Sequence, residues 1–214
     1  MKGLAAVLVE QNAPLALEDV EVPTVSFGQV LVRVLVSGIC GSQLGEIAGV
    51  KGPDRFIPHL LGHEGTGEVL EVGVGVRTVT PGDRVVLHWR KGAGLESLCP
   101  VYGSARGPVN AGWVTTFNEF AVVSENRVTT VPADFDPAVA SLFGCAVTTG
   151  FGVVNNNAKV KIGESVVVFG AGGIGLSIVQ AAALVGAYPI VALDLFDNRL
   201  SLAKKLGATH AINS

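Results

Sequence analysis

The chain has 214 residues, 49% hydrophobic and only 15% charged, with 18 acidic against 15 basic side chains and a formal net charge of −3. This composition supports a buried core and excludes a disordered chain. The acidic balance leaves no basic stripe to neutralise phosphates, which argues against nucleic acid as a partner.

No run of about 18 apolar residues is present, so no membrane-spanning helix is expected. Three widely spaced cysteines do not form a disulfide framework and fit a reducing, cytoplasmic setting. Glycine, at 28 residues, is about twice as frequent as usual and has no collagen-like period. It falls at turns between short apolar runs.

In chain order, the apolar stretch from Leu4 to Val9 reads as a first strand rather than a signal peptide, because Glu10 and Gln11 interrupt it and no cleavage site follows. Gln29 to Ser37 is β-branched and partly alternating. Gly65 to Val72 is a second extended run, ended by Gly73 and Gly75. Pro81-Gly82-Asp83 is a turn before a strand at Arg84 to Leu87. Phe117 to Val123 and Arg127 to Val131 add two more strands. Short strands with this punctuation predict a closed or partly closed β-barrel.

The pattern changes near residue 133. Asp136-Pro137 predicts a helix start, with Asp136 as the cap and Pro137 at the first helical position. Ser165 to Phe169 is apolar without alternation, the pattern of a parallel strand buried on both faces. A helix from Ile174 to Val185 follows, then a strand from Pro189 to Leu193. A helix from Asn198 to Leu206 is capped by Gly207, and an extended run covers Thr209 to Ile212. This is β-α-β-α, the opening of a doubly wound sheet. The fold class is therefore α/β with a β-barrel, divided into residues 1–150 and 151–214.

Gly170, Gly172 and Gly175 satisfy G-x-G-x-x-G between the predicted strand and helix, and Asp194 ends the next strand. In that context each part has a role. The first glycine permits the turn, the second lets the backbone approach a pyrophosphate, and the third allows close packing. The helix N-terminus then offers N–H groups to the phosphates. Asp194 would bind ribose hydroxyls and repel a 2′-phosphate, favouring NAD over NADP. The cofactor-binding candidates are Gly170, Gly172, Gly173, Ile174, Gly175, Asp194 and Arg199.

Cys40, His63 and Cys145 lie in glycine-flanked apolar surroundings. Singly, each has a bland explanation as a packed thiol or a satisfied imidazole. No short-range C-x2-C zinc pattern exists, so spacing alone does not make them a site.

Five segments nevertheless stand in a familiar order: Gly38-Ile39-Cys40-Gly41-Ser42, Gly62-His63-Glu64-Gly65 through Val69, Pro81 to Val85, Gly144-Cys145, and Gly170 to Gly175. In this the chain resembles the zinc-dependent medium-chain alcohol dehydrogenase family over its whole length. The resemblance implies a GroES-like barrel followed by a truncated Rossmann domain. It implies one catalytic zinc held by Cys40, His63 and Cys145. Glu64 would stand behind the ligands or substitute for one of them when water exchanges, and Ser42 would take the substrate proton. The implied reaction moves a hydride between an alcohol, polyol or sugar alcohol and NAD, giving an aldehyde or ketone. A full-length form is expected to be a homo-oligomer.

The chain departs from the family at several points. Gln43 stands where an aspartate often orients the metal-bound histidine, and Gly45 stands where a relay histidine is usual. Across Arg90 to Gly112 only Cys99 occurs, so no structural zinc is expected. The end at Ser214, near a third Rossmann strand, predicts a fragment able to grip only the adenosine half of the cofactor. Two alternatives stay open: a zinc-free quinone or enoyl reductase of the same superfamily, and a non-catalytic zinc-binding module. For substrate contact, Trp89, Leu95, Leu98, Tyr102 and Trp113 are apolar candidates, with the loops 46–58 and 88–113 shaping the pocket.

Overall fold

A computed structural model describes residues Met1–Ser214, which divide into two compact units, Met1–Cys145 and Ala146–Ser214. The first unit contains β1 (Lys2–Leu8), β2 (Ala16–Glu21), β3 (Gln29–Ser37), α1 (Gly41–Ile47), β4 (His59–Leu60), β5 (Glu64–Val72), β6 (Arg84–His88), β7 (Val101–Ser104), β8 (Gly107–Asn110), β9 (Phe120–Ser124), β10 (Val128–Thr130) and α2 (Pro137–Ser141). The second contains α3 (Ala146–Gly152), β11 (Val166–Phe169), α4 (Gly173–Leu184), β12 (Ile190–Asp194), α5 (Asp197–Lys205) and β13 (His210–Asn213). A π-helical turn, Val153–Ala158, continues α3.

In the first unit, β1, β2, β7, β8 and β4 close a barrel, and β10-β6-β5-β3-β9 form a five-stranded sheet. Strand β3 is central in that sheet, pairing antiparallel with β5 and β9. Its first four residues, Gln29 to Val32, are buried without alternation because both faces are covered, Val30 and Val32 by one apolar cluster and Leu31 by another. Two apolar clusters fill the unit. One gathers Val30, Val32, Val69, Val85, Leu87 and Val123, and the other Val7, Val20, Leu60, Tyr102, Val109 and Val122. Helix α2 begins where its cap predicts, with the Asp136 carboxylate accepting the Val139 N–H at 2.9 Å.

In the second unit, β11, β12 and β13 form a parallel sheet in that order. Val168, Ile190 and Ala192 pack with Val179, Ala182, Leu200 and Ala203 from α4 and α5. The expectation that the 165–169 strand is buried on both faces needs correction. Val168 is buried, but Val167 and Phe169 on the opposite face are exposed. Both helices pack on one side, so the alternate residues have no layer against them. No single helix in the chain is long and apolar enough to cross a membrane.

Candidate functional site

In the first unit, three side chains distant in sequence converge. Cys40 caps the start of α1, His63 stands just before β5, and Cys145 follows the turn after α2. Their donor atoms all lie within 4.8 Å of one another, and the two sulfurs are 3.9 Å apart.

Glycines make the convergence possible. A Cβ at Gly144 would sit 2.4 Å from the Leu87 carbonyl oxygen and 2.6 Å from Glu64 Cα, so only glycine lets the chain bring Cys145 against β5 and β6. Gly62 has φ +92°, a left-handed conformation that turns the chain into His63.

Two thiols and an imidazole suit zinc, which takes sulfur and nitrogen ligands in tetrahedral geometry. The residues fit such an ion for a further reason: His63 Nε2 is buried and has no hydrogen-bond partner. A buried ring nitrogen without a partner, on a histidine grouped with two thiols, suits a cation ligand. Burial holds the His63 pKa below the ordinary histidine value, which favours the neutral ring.

The other expected residues surround this group. Glu64 is buried at the start of β5, outside the set of mutually close donors. Ser42 is half-buried, its Oγ accepting from Gln43 Nε2 at 3.3 Å.

A cleft of about 760 Å³ reaches His63 and Gln43 and is walled by Leu61, Arg55, Phe56 and Trp113. The loop between α1 and β4 lines it and is fastened from below. Gln11 donates to the carbonyls of Gly52 (3.1 Å) and Glu46 (3.4 Å) and accepts the Asp54 N–H (3.2 Å). The Asp54 carboxylate meets His59 Nε2 at 2.8 Å.

Of the apolar candidates named from the sequence, only Trp113 lines this cleft. Tyr102 is instead a core residue at 1% exposure. Its hydroxyl accepts the Val122 N–H at 2.7 Å and donates to the Phe120 carbonyl at 3.3 Å, and burial pushes its pKa up to about 12. Sequence reasoning missed Gln11 and the part Gln43 plays at Cys40. The second was available in principle, because Cys40-x-x-Gln43 has the spacing of a capping box, with cysteine as the cap.

In the second unit, the glycine loop joins β11 to α4. Gly175 is fixed by packing, since a Cβ there would lie 1.8 Å from the Gly170 carbonyl oxygen. At Gly170 and Gly172 a Cβ would meet nothing within 4 Å, leaving open space above the start of a twelve-residue helix with no side-chain cap. That is an arrangement able to receive phosphate oxygens.

Asp194 ends β12 and is buried, with Oδ2 accepting the Ala171 N–H at 2.7 Å and Oδ1 the Phe196 N–H at 3.0 Å. Burial pushes its pKa up, but those two N–H groups and Arg199, 3.6 Å away, outweigh it and leave the group ionised. Arg199 also lies over the Phe196 ring, 4.7 Å from its centroid.

Comparison with known proteins finds matches along both units. The model of the alcohol dehydrogenase GroES-like domain matches residues 26–133, and that of zinc-binding dehydrogenases matches residues 173–214. The chain is 36% identical to an S-(hydroxymethyl)glutathione dehydrogenase of Photobacterium damsela subsp. piscicida, an alignment covering 100% of this chain and 64% of that protein.

Among solved structures, an alcohol dehydrogenase zinc-binding domain protein from Burkholderia ambifaria superposes with TM-score 0.89 at 32% identity. Benzyl alcohol dehydrogenase from Acinetobacter calcoaceticus gives 0.86 at 30%. Each match covers 100% of this chain and 64% of the other, so the chain spans just under two thirds of the length of these relatives.

Proposed function

Because the chain belongs to the zinc-dependent medium-chain alcohol dehydrogenase family, we propose that it carries the metal-binding and adenosine-binding parts of an oxidoreductase that moves a hydride between an alcohol and NAD, giving an aldehyde or ketone. The observation that carries this reading is the convergence of Cys40, His63 and Cys145 within 4.8 Å, with His63 Nε2 buried and unpartnered.

Each residue has a role that its surroundings support. Cys40, His63 and Cys145 hold the ion, which when bound supplies Lewis acidity toward a substrate oxygen. Ser42, adjacent to the first ligand, accepts the substrate's hydroxyl proton. Gly45 in the next turn offers no side chain to carry that proton further, so it leaves through water. Glu64 places a buried carboxylate behind the ligands. Leu61, Phe56 and Trp113 give the cleft an apolar wall that excludes water from the carbon skeleton of the substrate.

In the second unit, the open backbone at Gly170 and Gly172 and the first turn of α4 receive the pyrophosphate of NAD. Asp194 keeps a negative charge where the adenosine ribose would lie, which disfavours a 2′-phosphate.

Metal analysis of the purified chain, combined with calorimetric titration of NAD, tests this reading. Stoichiometric zinc with saturable NAD binding is expected. Cofactor binding without zinc would move the chain to the zinc-free reductases, and zinc without cofactor binding would make it a metal-binding module.

A further inference from the structure

We infer that Gln43 is a two-position amide latch that must turn over when the metal centre loads. The inference rests on reading Cys40, His63 and Cys145 as the metal ligands. Gln43 is 2% exposed and sits between two of them. One end of its amide is 2.9 Å from the backbone nitrogen of Cys40 and the other is 2.6 Å from His63 Nδ1.

The donor and acceptor inventory fixes the metal-free arrangement. The Cys40 N–H can only donate, so the amide oxygen must face it. The amide NH2 therefore faces His63 and can only donate, which requires Nδ1 to be the bare, accepting nitrogen. A neutral imidazole then carries its proton on Nε2, the nitrogen that is buried without a partner.

That tautomer does not bind a cation, because the lone pair of Nε2 is occupied by a proton. Nδ1 is not available either, since Gln43 stands 2.6 Å from it. Loading the site therefore moves the ring proton from Nε2 to Nδ1. The new Nδ1–H needs an acceptor, and the amide supplies one only by turning its oxygen toward the ring. The NH2 group then faces the Cys40 N–H, donor against donor. With a neutral amide, both neighbours are matched while Nδ1 is bare, and one of them is mismatched once the ring proton sits on Nδ1.

A carboxylate of the same length has no such conflict, because both of its oxygens accept. Gln43 is in this sense a positioning residue that biases the centre toward its metal-free tautomer. Partners of metal-bound histidines typically alter metal affinity by roughly 10–100-fold.

The test uses the whole chain, labelled with 15N. Long-range proton–nitrogen correlation of the His63 ring should show the proton on Nε2 without metal and on Nδ1 after stoichiometric zinc is added. Hydrogen exchange at the Cys40 amide should accelerate on loading, because its acceptor is withdrawn. Gln43→Glu should carry the Nδ1–H tautomer already without metal, bind zinc roughly tenfold or more tighter, and keep the Cys40 amide protected in both states.

A His63 ring with its proton on Nδ1 in the metal-free wild-type chain would overturn the latch, and so would unchanged zinc affinity in Gln43→Glu. If zinc binds to neither protein, the assignment of the metal ligands fails first and the latch fails with it. If Gln43→Glu does not fold, the tautomer and exchange measurements on the wild-type chain still decide.

Discussion

Glu125 in the first unit and Asp194 in the second are both buried carboxylates that accept backbone N–H groups from a loop, and they differ in how completely they are used. Oε1 of Glu125 accepts from Arg77 N (2.6 Å), Thr78 N (2.8 Å) and Thr78 Oγ1 (3.0 Å), and Oε2 accepts from Leu95 N (2.7 Å). Four hydrogen bonds thus tie the 77–78 and 95 segments to one carboxylate. Asp194 accepts one N–H on each oxygen and has Arg199 3.6 Å from Oδ2 at the end of a strand. The same chemistry fastens three loop residues with four bonds at Glu125 and two loop residues with two bonds at Asp194.

The wider setting follows this difference. Most buried polar side chains, Arg127 and Asn126 among them, lie in the first unit, and only Ser177 and Asp194 are in the second. The first unit must hold a segment without helix or strand, 89–100, that contains a single cysteine. Arg127 does part of that work, donating to the Trp89 carbonyl, pairing with Glu96 at 3.1 Å and lying over the Trp113 ring. The second unit is built of βαβ layers that hold themselves by apolar packing, and its one buried carboxylate stands at the glycine loop.

Removing the more heavily bonded group is expected to have the largest effect. Glu125→Ala strands three backbone donors and should destabilise the first unit by about 4 kcal/mol in denaturant unfolding. A loss below about 1 kcal/mol would erase the distinction between the two carboxylates. Next comes Gly175→Ala, whose Cβ would sit 1.8 Å from the Gly170 carbonyl oxygen. The loop must open, and a loss of about 3 kcal/mol is expected in the second unit, with nucleotide binding impaired at the same time.

A pH series sharpens the Glu125 half of the comparison. Burial alone would raise its pKa, but the N–H groups of Arg77, Leu95 and Thr78 hold it below the ordinary 4.5. Its contribution is therefore complete above about that value and is lost as pH falls through the depressed folded value. The stability gap between wild type and Glu125→Gln should accordingly be full near neutrality and shrink in acid. A gap that widens toward low pH would contradict the assignment. The smallest effect belongs to Asp194→Asn, which keeps one acceptor. NAD affinity should fall about tenfold, or about 1.4 kcal/mol, with little loss of stability.

Local patterns carried much of the fold. Strand β3, the Asp136 cap, the glycine loop and the β-α-β-α series all announce themselves in contiguous residues. The elements that escaped are those whose sequence contradicts their structure. Helix α3 and its π turn run through Ala146-Val-Thr-Thr-Gly-Phe-Gly-Val-Val-Asn-Asn-Asn-Ala158, rich in β-branched residues, glycine and asparagine. It is held by packing on α4, where a Cβ at Gly150 would lie 2.5 Å from Ser177 Cβ. The β7–β8 hairpin contains glycine and Pro108, which read as a loop.

The same rule divides the two sites. The nucleotide loop is one continuous motif. The metal ligands are separated along the chain and meet only because Gly62 and Gly144 let distant backbones close on one another, a condition that spacing does not encode.

The clasp formed by Gln11 bears on how the cleft would choose what enters it. With three of its hydrogen bonds reaching Glu46, Gly52 and Asp54, that wall is braced by the chain itself. A visiting molecule then loses little free energy to ordering the loop, and discrimination comes from fit to a standing contour rather than from a closing movement. Guests that match it are spared the cost of ordering the loop.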